Sequence, residues 1–143
     1  MKICLGINDV PYANTDASGV VMTGDVALIL EAKYGVMQHF YDAHKVDIAS
    51  DLESAIAAQA EAIMEGAPPS PRPMFEAEAA IVGRFKTFLM TGEIETMGIP
   101  GVPTQASIKR RNGGSSTRKK VANTGPSFVD SGIYENSFRC EIK

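Results

Sequence analysis

Both ends of this 143-residue chain alternate between apolar and polar side chains, and that pattern constrains the fold before the middle is read. At the N-terminus Ile3, Leu5 and Ile7 alternate with Lys2, Cys4 and Gly6. At the C-terminus Phe138, Cys140 and Ile142 alternate with Arg139, Glu141 and Lys143. A period of two puts each apolar set on one face of an extended strand. The final strand is therefore expected to pair with N-terminal strands, so that the two ends of the chain meet. Val26-Ala27-Leu28-Ile29-Leu30 is a short apolar run that reads as a further, buried strand. The expected sheet has strands near 2–7, 26–32 and 136–142, with Phe138, Cys140 and Ile142 turned to the core.

Between these strands the period changes. Ser50-Asp51-Leu52-Glu53 has capping-box spacing, with Asp47 an alternative cap one turn earlier. Leu52, Ile56 and Ile63, with Ala49, Ala55 and Ala60, mark one helical face, and Gly66 and Pro68-Pro69 end it. Asp51, Glu53, Glu61 and Glu65 read as its solvated side. Residues 34–45 carry apolar bulk at Tyr34, Val36, Met37, Phe40 and Tyr41 without a clean period and stay unassigned. A second helix opens at Pro71-Arg72-Pro73, since proline is tolerated in a first turn. Phe75, Val82 and Leu89 recur every seven residues there, and Ile81, Phe85 and Phe88 widen the stripe. Thr91-Gly92 ends it. The expected fold class is α+β: a small antiparallel sheet flanked by two main helices, with a long basic loop before the C-terminal strand. At this length a single domain, 1–143, buries roughly 70% of its unfolded surface, enough for one core. Residues 98–126 are expected as an extended arm with a short ordered piece around Ala106 to Arg110.

Charge divides the chain in two. Residues 109–120 hold Lys109, Arg110, Arg111, Arg118, Lys119 and Lys120 and no acid, a charge of +6. The other residues include 8 basic and all 17 acidic ones, a charge of −9 behind an overall −3. A cationic arm on an acidic body suits a self-complementary assembly or an acidic partner, and also contact with nucleic-acid phosphates. Asn112 to Thr117 is linker-like in composition, so without a partner the segment reads as a solvated loop.

Catalytic and metal constellations do not emerge from the sequence. His39 and His44 are five residues apart, which puts the rings on different faces of a helix. Asp42 near His44 has no activated serine or cysteine to serve. Asp130-Ser131-Gly132 lacks the strand-to-helix setting of a nucleophile elbow and reads as a structural, hydrogen-bonded turn. Gly113-Gly114-Ser115-Ser116 lacks the Gly-Lys-Ser/Thr ending of a phosphate loop. Cys4 and Cys140 fall on the terminal strands, and free thiols are expected of both. The reading is a non-enzyme with no cofactor and no metal. No apolar run reaches the ~18 residues that cross a bilayer, and the N-terminus does not read as a signal peptide.

The order of short motifs resembles a known family. Tyr34-Gly35 is followed by Pro71-Arg72-Pro73-Met74-Phe75 opening a helix, then by a Pro-Thr-x-x-Ser-Ile-Lys-Arg segment at Pro103 to Arg110. Val129-Asp130-Ser131-Gly132 and Asn136-Ser137-Phe138 close the chain. This order is similar to that of tailed-bacteriophage neck and tail-completion proteins, also called minor tail or virion-morphogenesis proteins. In the family's Asp-Thr-Gly turn, Asp130, Gly132 and Ser137 match, and Ser131 replaces the usual Thr. Residues 46–65, as an extra helix, and Met74 before Phe75 depart from the pattern. The resemblance covers about two-thirds of the chain. It implies a small α+β domain that assembles as a homo-oligomeric ring at the head–tail junction, as neck, tail-completion or tail-terminator protein. It also implies no catalytic role, synthesis in the host cytoplasm and residence in the virion. Adjoining neck and tail proteins are the implied partners, with packaged DNA a further contact and no membrane. The assembly residues are then Lys109, Arg110, Arg111, Arg118, Lys119 and Lys120. The alternative reading is a nucleic-acid-binding protein using the 109–120 arm. It is weakened by the absence of interleaved aromatics for base stacking and by the acidic remainder.

Overall fold

The computed structural model describes residues 2–12, 21–111, 126–129 and 132–143. It is a mostly helical α+β structure whose N- and C-terminal strands form a two-stranded antiparallel sheet. Strand β1 (Ile3–Ile7) pairs with β2 (Phe138–Ile142) in the register Ile3↔Ile142, Leu5↔Cys140 and Ile7↔Phe138. The closing of the two ends follows from the alternation at each terminus. The same register sets Cys4 opposite Glu141 and Cys140 opposite Leu5. The two cysteines thus point to opposite faces of the sheet, and both are free thiols.

The expected third strand is a helix. Residues 26–30 lie in α1 (Thr23–Tyr34). A five-residue apolar run fits either state, and here the ends decide. Asp9 Oδ1 accepts the Gly24 N–H at 3.0 Å, capping the start from a distant residue. The buried Thr23 hydroxyl accepts from Val10 N–H and donates to the Asn8 carbonyl. At the far end Gly35 adopts φ +57 and returns its N–H to Glu31 O, a left-handed stop that glycine takes without strain. Leu28 and Ile29 are left 72% and 63% exposed, so the run is not buried as a whole.

Gly35 also starts α2 (Val36–Met64), which absorbs residues 36–45 of the unassigned stretch, while Tyr34 ends α1. The Glu31 carboxylate accepts the N–H groups of Met37 and Gln38, supplying the N-terminal cap that Ser50 was expected to give. The Ser50/Glu53 box therefore sits mid-helix, and Ser50 is exposed. At 29 residues α2 is about 43 Å long. Antiparallel to it runs α3 (Phe75–Met90), which starts after the Pro71-Arg72-Pro73 turn and not at it. Its core face is Ala77, Ile81, Phe85, Phe88 and Leu89. Phe75, expected in that stripe, is 53% exposed under the Arg72 guanidinium, which lies 4.7 Å from the ring centroid.

The core is aromatic at its centre. Phe85 stacks on Phe138 at 3.8 Å and meets Phe40 edge-on at 5.1 Å, and Phe40 also contacts Phe88 at 5.6 Å. Phe138 is buried, as the strand pattern requires, and joins β2 to α3. Glu78 of α3 accepts the Ile142 N–H at 3.0 Å and so occupies part of the outer edge of β2. Asp51, expected on the solvated side of α2, is half-buried and bound by Arg84 at 2.9 Å, while Glu53, Glu61 and Glu65 are exposed. No helix among the described residues is long and apolar enough to cross a membrane.

Candidate assembly surface

After α3, Gly92 (φ +69) turns the chain into a 3-10 turn at Glu93–Thr96. The chain then runs past Ile99 and Pro103 into α4 (Gln105–Arg111), the expected short ordered piece. Thr104 opens α4 as a local cap: its Oγ1 accepts the Ser107 N–H, and its carbonyl accepts the Ser107 hydroxyl at 2.9 Å. Residues 126–129 return beside it.

Ser127 is the centre of that return. Its Oγ accepts the Thr104 N–H at 3.0 Å and lies 3.0 Å from Ser107 Oγ. The Ser107 proton is committed to the Thr104 carbonyl, so Ser127 is the donor of the pair. The Ser127 N–H donates to Glu95 Oε1 at 2.6 Å. Ser127 and Ser107 are 0% and 1% exposed, and each buried hydroxyl is satisfied. Two neighbours fix the same stretch. A Cβ placed on Gly92 would sit 3.1 Å from Pro126 Cβ, so this glycine serves close approach as well as its positive φ. Phe128 holds φ +71, a costly conformation for a bulky residue, with its ring 5.1 Å from Tyr34. Residues 104–107 and 126–129 are thus locked to one another at one buried knot.

Of the six basic residues singled out from the sequence, Lys109 is exposed on α4, and Arg110 and Arg111 complete that helix. Arg118, Lys119 and Lys120 lie outside the described residues, as do Asp130 and Ser131. Gly132 has φ +78 and leads into α5 (Ile133–Ser137); its carbonyl accepts both the backbone N–H and the side-chain amide of Asn136. Tyr134 follows in the core. Burial, then Glu31 and Tyr12, push its phenol well above the ordinary value. Burial, with Glu78 and Cys4 adding, pushes the Cys140 thiol up to about 11, so it is a poor nucleophile.

The acidic counterpart is concentrated on α2. Residues 46–70 contain Asp47, Asp51, Glu53, Glu61 and Glu65 and no cation. Arg84 compensates Asp47 and Asp51 from α3, at 3.6 and 2.9 Å. His44 is wedged between Asp47 and Glu93, at 3.5 and 3.3 Å, with its ring edge-on to Phe88. It is a packing residue between α2 and the 3-10 turn, and His39 does not share its site. Among the described residues no group of three or more His, Cys, Asp or Glu is placed to hold a metal ion.

The Ser107–Ser127 pair was not singled out from the sequence. Thr104-x-x-Ser107 before a short helix is a readable cap, but nothing local marks Ser127, which is defined by partners 20 to 32 residues away. No protein family, curated protein or solved structure matches this chain.

Proposed function

We propose that this chain is a structural subunit of a tailed-bacteriophage virion, forming a ring at the head–tail junction. The observation that carries the reading is the knot at Ser107 and Ser127. It joins residues 104–107, just before the strongly basic 109–120 stretch, to residues 126–129 after it, on a body whose remaining charge is −9. A ring contact is heterologous, so two different surfaces of one subunit must fit each other. The basic segment and the exposed carboxylates of Glu53 and Glu61 on α2 and of Glu65 just after it supply two surfaces of opposite sign. The motif order from Tyr34-Gly35 to Phe138 supports the same assignment. The role needs no catalytic group, and the buried hydroxyls of Thr23, Ser107, Ser127 and Ser137 are engaged in holding backbone.

Replacing Lys109, Arg110, Arg111, Arg118, Lys119 and Lys120 together with Gln tests the reading. Single exposed ion pairs contribute on the order of 0–1 kcal/mol, so the set and not one residue should matter. The variant should fold as wild type but assemble less well into particles, most visibly at low salt, where the wild-type charges are least screened. Equal assembly at all salt concentrations would remove the segment from the interface.

A further inference from the structure

The backbone hydrogen bonds of the sheet assign a free edge. Lys2 and Lys143 exchange two bonds, at 2.6 and 2.9 Å, and Asn8 N–H donates to Ser137 O at 2.7 Å. In an antiparallel pair such closely bonded positions alternate with positions whose N–H and C=O point the other way. Ile3, Leu5 and Ile7 are the alternates, so their backbone groups point away from β2. Among the described residues no backbone or side-chain group meets them there. The corresponding edge of β2 differs, because Glu78 takes the Ile142 N–H.

A groove runs along this free edge. One part, about 340 Å³, is lined by Ile3 and Leu5 on one side and by Glu31, Met37, Gln38 and Tyr41 on the other. The adjoining part, about 440 Å³, continues past Ile7 to Asp9, Asp25 and Leu28, and shares Glu31 and Met37. The described lining includes three carboxylates, Asp9, Asp25 and Glu31, and no cation. Glu31 and Asp9 are engaged in capping the two helices, whereas Asp25 is exposed in the first turn of α1. An unpaired edge beside an apolar groove takes a further extended segment, with backbone bonds giving affinity and the flanking groups giving selectivity.

We propose that the β1 edge and its groove accept an extended cationic segment from a second copy of this chain, added to the sheet as a third strand. Charge selects this occupant over pairing of two β1 edges, which would set two copies of the Asp9, Asp25 and Glu31 cluster against each other. The stretch that fits is Arg118-Lys119-Lys120-Val121-Ala122, five residues against the five of β1. In an extended strand Lys119 and Val121 share one face, matching a groove that offers both carboxylates and apolar side chains. The inference rests on the ring reading for the identity of the donor.

The test uses the full chain and an acetylated peptide of residues 116–124, with amide hydrogen exchange read at Ile3, Leu5 and Ile7. In dilute protein these three amides should exchange freely and become protected on adding peptide. Asp25→Lys should weaken that effect about five-fold, as expected for a local charge reversal. A peptide with Arg118, Lys119 and Lys120 changed to Gln should lose most of it. No protection by peptide, or protection unaffected by either charge change, overturns the proposal. Protection that is already present in dilute protein, or that grows with concentration while the peptide does not compete, assigns the edge to the chain's own segment or to β1–β1 pairing and likewise overturns it. Light-scattering mass is read in parallel. A monomeric chain that binds peptide at the edge removes the ring reading and with it the second copy as donor, and a ring with silent edge amides removes the groove alone.

Discussion

Ser127→Ala should loosen the base of the basic segment at a predictable cost. The substitution deletes one oxygen that makes two contacts: it accepts the Thr104 N–H and donates to Ser107 Oγ. Ser107 keeps its bond to the Thr104 carbonyl, so the group orphaned outright is the Thr104 N–H. One buried donor left without a partner costs about 1–3 kcal/mol. For a chain of this size each kcal/mol lowers Tm by roughly 2–4 °C, so a fall of about 2–12 °C is expected. Because the two hydroxyls share one bond, Ser107→Ala added to Ser127→Ala should cost less than the two single changes together, by about 1 kcal/mol. Thermal unfolding followed by far-UV circular dichroism on the two single variants and the double variant measures both quantities. A Ser127→Ala protein melting within a degree of wild type, or single effects that simply add, would refute the knot as a mechanical anchor.

Three further outcomes are expected. Phe138→Asp puts a carboxylate against Phe85 at the centre of the aromatic core and should prevent folding; a soluble variant with wild-type dichroism and melting would contradict the packing. Gly132→Val should destabilise by about 1–3 kcal/mol in urea titrations, because φ is +78 and a Cβ would sit 3.3 Å from Glu135 Oε1. Stability should decline from about pH 9 to pH 11, because the unfolded chain releases the Cys140 proton near the ordinary value of 9.0 while the folded chain holds it to about 11. Tyr134, also raised, extends the decline in the same direction. Urea titrations at intervals across this range should show a shallower decline for Cys140→Ala than for wild type.

The terminal strands were legible because a period of two survives in as few as five residues, and Phe138 was placed in the core by that pattern alone. The 26–30 run was not, since Val-Ala-Leu-Ile-Leu carries no period of its own and its state is set by Asp9, fifteen residues before Gly24, and by Gly35 after it. The Ser50/Glu53 box failed for a related reason: a cap pattern stops no helix that has already been started by Glu31 at Met37. Phe75 kept the heptad spacing of Val82 and Leu89 but stands before the helix meets α2, so its ring lies under Arg72 instead. At the candidate surface the charge of the 109–120 segment was plain from composition. Its anchoring was not, because Ser127 gains its partners only when residues 92–107 fold back beside it.

The mass of the purified 15.3 kDa chain in solution tests the ring most directly, measured by light scattering across a range of concentrations and salt. A subunit that closes heterologous contacts should reach a fixed multiple of the monomer mass that stays constant above a threshold concentration. It should fall back toward the monomer at high salt or when the six cations of 109–120 are replaced. A monomer at every concentration, together with particles that assemble fully without the chain, would contradict the assignment.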